Sequence, residues 1–117
     1  GERAENTGRQ LLHQGLSKML DSKTIAIDFD DTFTADPELW SSFIVTAQDR
    51  GHRVLCVTAR RDTDENRQIL TEYFELHGVD LPIIFCNLSS KLHTTERRGT
   101  KIDIWIDDSP YAIVNGY

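Results

Sequence analysis

The chain has 117 residues, 38% of them hydrophobic and 27% charged, with a formal net charge of −6, which fits one soluble globular domain with a modest core. That charge argues against broad electrostatic binding to nucleic acid or to an anionic membrane, and no apolar run approaches the roughly 18 residues of a membrane helix. Cys56 and Cys86 sit inside apolar runs, the pattern of buried free thiols in a reducing cytoplasm, and no signal-peptide pattern is legible.

Residues 4–20 place Leu11, Leu12, Leu16, Met19 and Leu20 at helical spacing, which predicts an amphipathic N-terminal helix. "TIAIDF", 24–29, is a short, nearly continuous apolar run, as expected of a strand buried on both faces. Residues 37–50 put Leu39, Trp40, Phe43, Ile44 and Ala47 on one helical stripe, with Asp36 as N-cap, Pro37 at the first position and Gly51 as the stop. A second strand, "HRVLCVT" at 52–58, leads into a helix over 63–78 with Ile69, Leu70, Tyr73, Phe74 and Leu76 inward. "LPIIFCN", 81–87, is the third strand; a loop and short helix follow over 88–99; "IDIWIDD", 102–108, is the fourth strand; a turn or helix starts at Ser109. Helices alternating with strands predict an α/β domain with a parallel sheet of about four strands and helices on both faces. In such sheets ligands bind beyond the carboxyl ends of the strands, at the switch point in strand order.

The strand ends are therefore the place to look for chemistry. The first ends in Asp28, Phe29, Asp30, Asp31 and Thr32; the second in Thr58, Ala59, Arg60 and Arg61; the third in Asn87, with Ser89, Ser90 and Lys91 close behind; the fourth in Asp107, Asp108 and Ser109. Two acid clusters on two strands repel each other unless a cation lies among them. A few carboxylates with waters retained suit Mg²⁺. A hydroxyl from Thr58 and positive charge from Lys91 and Arg60 complete a set able to hold a phosphate group.

These motifs carry a resemblance. "DFDDT" resembles the Asp-x-Asp-x-Thr signature of the haloacid dehalogenase (HAD) superfamily of phosphohydrolases, "VLCVT" its second motif and "IWIDDSP" its fourth, in the same order and across most of residues 24–110. The resemblance implies a HAD-like Rossmannoid three-layer sandwich: a single domain over 1–117, with a helical extension at 1–20 and a catalytic core at 24–117. It implies an Mg²⁺-dependent phosphatase working through an aspartyl-phosphate. Asp28 is then the nucleophile, and Asp30 the general acid and base whose backbone carbonyl also reaches the metal. Thr58, Lys91 and Arg60 bind phosphate. Asp107 and Asp108 hold Mg²⁺ together with Asp28 and Asp30.

The lysine motif has two candidates. Lys101 precedes the fourth strand and stands about 20 Å from Asp107 along it, at the wrong end of the sheet, so Lys91 is preferred. The family's usual cap is missing, since only a few residues separate Thr32 from the next helix. An open site implies a nucleotidase-like activity, action on the phosphorylated end of a polynucleotide or another large substrate, or closure by a partner in a homo-oligomer. Phe33 stands where the family often has a smaller aliphatic residue, a change expected to shape the pocket. Two readings compete: a HAD-fold binding module without turnover, and a receiver-like domain. Retention of all four acids opposes the first; the position of the acid motif after the first strand opposes the second. Trp40 and Trp105 read as packing, Asp31, Thr34 and Asp36 as turn residues, and Arg97 and Arg98 as a solvated basic turn. His13, His52, His77 and His93 show no ligand spacing.

Overall fold

The computed structural model describes residues 21–117; the helix expected over 4–20 lies outside them. Four strands, β1 (Thr24–Ile27), β2 (Arg53–Thr58), β3 (Ile83–Phe85) and β4 (Ile104–Ile106), alternate with four helices, α1 (Pro37–Asp49), α2 (Asp64–Leu76), α3 (Lys91–Arg97) and α4 (Pro110–Asn115). The strands pair in the order β3-β2-β1-β4, all parallel. The chain steps outward from β1 to β3 and then returns to the other side of β1. The reversal places a switch point between the carboxyl ends of β1 and β4.

Residue alternation divides the core into two clusters. Ile25, Ile27, Val54 and Cys56 face α1 through Ile44 and Ala47, and α2 through Leu70 and Phe74. Ala26, Leu55 and Val57 face the other way, beside Ile84, Cys86 and the partly buried Ile102 and Trp105. Asp28 has the parity of Ala26, so it leaves the sheet on this second side. Cys56 and Cys86 are both buried and unbridged.

Local chemistry sets the helix starts. The Leu39 N–H donates to Asp36 Oδ1 at 3.1 Å, the Asn66 N–H to Thr63 Oγ1 at 3.1 Å and the His93 N–H to Ser90 Oγ at 3.2 Å. Each cap satisfies an amide that the helix leaves free.

Several expectations need correcting. The regular strands are shorter than 24–29, 81–87 and 102–108, because single bonds carry the ladder past their ends. Asp103 N–H donates to the Thr24 carbonyl, Asp28 N–H to that of Ile106, and Cys86 N–H to that of Thr58. Asn87 and Leu88 then turn the chain with φ of 52° and 66°. Leu39, Ile69 and Leu76 are exposed rather than inward. Trp40, Phe43, Ile44 and Ala47 supply the inward stripe of α1, and Leu70, Tyr73 and Phe74 that of α2; residues one helical step aside overhang a sheet this narrow. Phe33 does not shape a pocket: it is fully buried, edge-on to Tyr73 and Phe74.

Candidate active site

β1 ends where Asp28 donates its N–H to the Ile106 carbonyl at 2.9 Å. The chain then makes a wide turn over Phe29–Phe33. Phe33 N–H donates to the Asp28 carbonyl at 3.2 Å and Thr34 N–H to that of Phe29 at 3.1 Å, each five residues back. Within it Asp30 is extended and Asp31 is left-handed at φ 63°, a conformation that aspartate tolerates. The Asp31 N–H donates to Thr34 Oγ1, so both residues serve the turn. Phe29 and Phe33 anchor the turn in the core while Asp28 and Asp30 diverge.

Asp28 is 8% exposed and Lys91 1%. The Lys91 ammonium donates to Asp28 Oδ1 at 2.8 Å and to Asp107 Oδ2 at 2.6 Å. Lys91 reaches them because Ser90, just before it, caps α3. Asp107 Oδ1 accepts the Ser109 N–H at 2.9 Å. The Thr32 hydroxyl oxygen accepts the Asp108 N–H at 3.0 Å and lies 2.9 Å from Asp108 Oδ1 and 3.2 Å from Asp28 Oδ2, either of which can take its one proton. Thr32 thus ties the turn after β1 to the end of β4.

One carboxylate oxygen each of Asp28, Asp107 and Asp108 lies within 4.8 Å of the others. Against three carboxylates the cluster sets one ammonium, an excess of two negative charges. Burial pushes the Asp28 carboxyl up to about 6, against the pull of Lys91 and with the help of Asp107 and Asp108. The hydrogen bond to Asp28, helped by Thr32, holds Asp108 below its usual range. Burial pulls Lys91 down, but its bonds to Asp107 and Asp28 outweigh this and keep it charged. The two neighbouring carboxyls are thus shifted in opposite directions, Asp28 up and Asp108 down.

Asp30 stands apart from this cluster. Its carboxylate accepts two hydrogen bonds from Arg60, Nε and the second guanidinium nitrogen, each at 2.9 Å. Arg60 also donates to Asn66 Oδ1 at 3.0 Å and lies 5.4 Å above the Phe29 ring. Thr58 is fully buried, and its hydroxyl oxygen accepts the Arg60 N–H at 3.2 Å, leaving its own proton to donate. Lys101 is remote: its side chain is 90% exposed and 3.9 Å from Asp103.

A cleft of about 230 Å³ opens above the cluster, floored by Asp28, Asp30 and Asp108 and walled by Ala59, Leu88 and Tyr117. A larger hollow, about 400 Å³, lies among Leu92, Thr95 and Ile102 and holds none of these acids. Sequence reading gave Thr32 no role and did not bring Tyr117 to the cleft. The last position of the acid motif could have flagged Thr32; nothing local flags Tyr117. Comparison of the chain with family models, curated proteins and solved structures finds no match. No helix among the described residues is long and apolar enough to cross a membrane.

Proposed function

We propose that the chain is a cytoplasmic HAD-type phosphatase, hydrolysing a phosphate monoester through an aspartyl-phosphate on Asp28. One observation carries this reading: at the switch point a buried aspartate is held by a buried lysine beside two further carboxylates from another strand. A structural sheet has no need of such charge, and buried carboxylates in excess are costly unless compensated. The resemblance in "DFDDT", "VLCVT" and "IWIDDSP" supports it independently.

The donor set fits a hard divalent cation. Asp28, Asp107 and Asp108 offer oxygen only, at close quarters and with uncompensated charge, as Mg²⁺ favours. Bound there, Mg²⁺ would neutralise charge on the phosphoryl oxygens.

In the first step an Asp28 oxygen attacks phosphorus, the bond to the ester oxygen breaks, and Asp30 gives that oxygen a proton. In the second, Asp30 takes a proton from water, the hydroxide attacks phosphorus, and the bond to Asp28 breaks to release inorganic phosphate. Splitting the displacement in two lowers each barrier. Lys91 orients Asp28 and offsets its charge, and Thr58 donates to a phosphoryl oxygen. Asp30 must leave Arg60 to do its work. The pair is half exposed and so weak, and a phosphate arriving at Arg60 can replace it.

The test is release of inorganic phosphate from an aryl phosphate with and without Mg²⁺. Turnover is expected only with the cation, and Asp28→Asn should lower kcat at least a thousandfold while the protein stays folded by circular dichroism. Near-native turnover by that variant would remove Asp28 as nucleophile.

A further inference from the structure

Beside its acids and Arg60, the cleft is lined by Ala59, Leu88 and Tyr117, which the reaction above leaves unused. Tyr117 lines the same cleft as Asp28, Asp30 and Asp108, yet 74% of it is exposed. Its backbone is fixed in two ways. The Tyr117 N–H donates to the Leu88 carbonyl at 2.8 Å. Gly116, at φ +74°, passes so near the loop before α3 that a Cβ would lie 2.7 Å from Ser90 N and 2.8 Å from the Leu88 carbonyl oxygen. Only glycine fits there. The Ser90 hydroxyl adds a tie to the same loop by donating to the Ile113 carbonyl at 2.9 Å. A large aromatic side chain is therefore carried to the cleft of the reacting carboxylates on a fixed backbone. Its neighbours on the rim include the apolar Ala59 and Leu88, and Arg60, the residue that the arriving phosphate engages, lines the same cleft.

We propose that Tyr117 determines specificity by giving a platform to a planar aromatic group in the alcohol part of the ester. The proposal rests on the phosphatase reading and names its substrate class: aromatic phosphate monoesters without additional negative charge. The cleft is smaller than the roughly 300–1,000 Å³ of pockets that enclose a ligand. It takes the phosphate and the group beside it, and the aromatic ring rests at the mouth. Aromatic pairs gain attraction beyond the area they bury, and base–aromatic stacking accepts any flat ring. The acid floor repels esters with further anionic groups, such as nucleoside di- and triphosphates.

The test measures kcat/KM with Mg²⁺ for benzyl phosphate, a nucleoside 5′-monophosphate and glycerol phosphate, in the native protein and in Tyr117→Phe and Tyr117→Leu. Comparing each variant with the native protein cancels the intrinsic reactivity of the esters. The aromatic-to-glycerol ratio is expected to fall about tenfold in Tyr117→Leu, the scale of one stacked base, and to hold within twofold in Tyr117→Phe. A fall with the nucleotide alone identifies a base as the stacked group; a fall with benzyl phosphate identifies a ring next to the phosphate. If all three substrates fall together, or none moves, Tyr117 is wall and not platform, and the phosphatase reading stands. If the native protein turns over none of them, both readings fall.

Discussion

Lys91 is the one basic side chain buried among the described residues, and its two partners come from different strands. Removing the single cation of this buried group should cost about 3–5 kcal/mol, because its two carboxylate partners then stay buried without compensation. Lys91→Met should lose at least about 3 kcal/mol in urea unfolding; Lys101→Met, on the exposed rim of the far end, should stay within about 0.5 kcal/mol. Asp28 makes a second prediction, with a sign that pH can test. Burial raises its folded pKa to about 6, above the ordinary aspartate value of 3.8, so the folded state binds the proton more tightly. Its contribution is most favourable below pH 3.8 and is lost as pH rises through 6. By pH 7.5 the metal-free protein bears a cost of up to about 3 kcal/mol. Asp28→Asn removes it, so the variant should melt higher than the native protein at pH 7.5 without metal, and the gap should narrow toward pH 4.5. A gap that widened on acidification would contradict the direction of the shift.

At the scale of elements, the start of α3 connects packing to chemistry. Ser90 caps the helix through His93 N–H, anchors α4 through the Ile113 carbonyl and precedes Lys91. Ser90→Ala should cost about 1–2 kcal/mol, the upper range for an N-cap, and should also lower kcat by loosening Lys91. A stability loss with kcat unchanged would separate the cap from the site. Such elements differ in how far sequence betrays them. The cap Asp36 sits beside what it bonds, so local pattern reveals that helix start. Rim residues can be named because strands end in them. Thr32 bonding Asp108 across 76 positions, or Tyr117 docking on Leu88, depends on register and on two loops meeting, which no local pattern records. Leu39, Ile69 and Leu76 misled for a related reason: helical spacing counts apolar residues, but the width of the sheet decides how many are covered.

At the scale of the whole molecule, the acid cluster joins β1 to β4, so a ligand bound there stabilises the entire fold and not one loop. Mg²⁺ at about ten times its dissociation constant should add about 1.4 kcal/mol, a rise in Tm of some 4–8 °C for a domain of this size. Asp107→Asn should abolish most of that rise, and a full shift in that variant would place the cation elsewhere. The strand order has a further consequence, for the birth of the chain. Synthesis proceeds from the N-terminus, and the bond from the Thr24 N–H to Asp103 closes a separation of 79 residues. While β4 is still unmade, β1 to β3 and α3 already contain Asp28 and Lys91, one acid and one base, a neutral couple. The surplus of negative charge comes into being only when the fourth strand docks and brings Asp107 and Asp108 with it. A growing polypeptide is thus spared the electrostatic burden of its own centre until the sheet that bears it is complete.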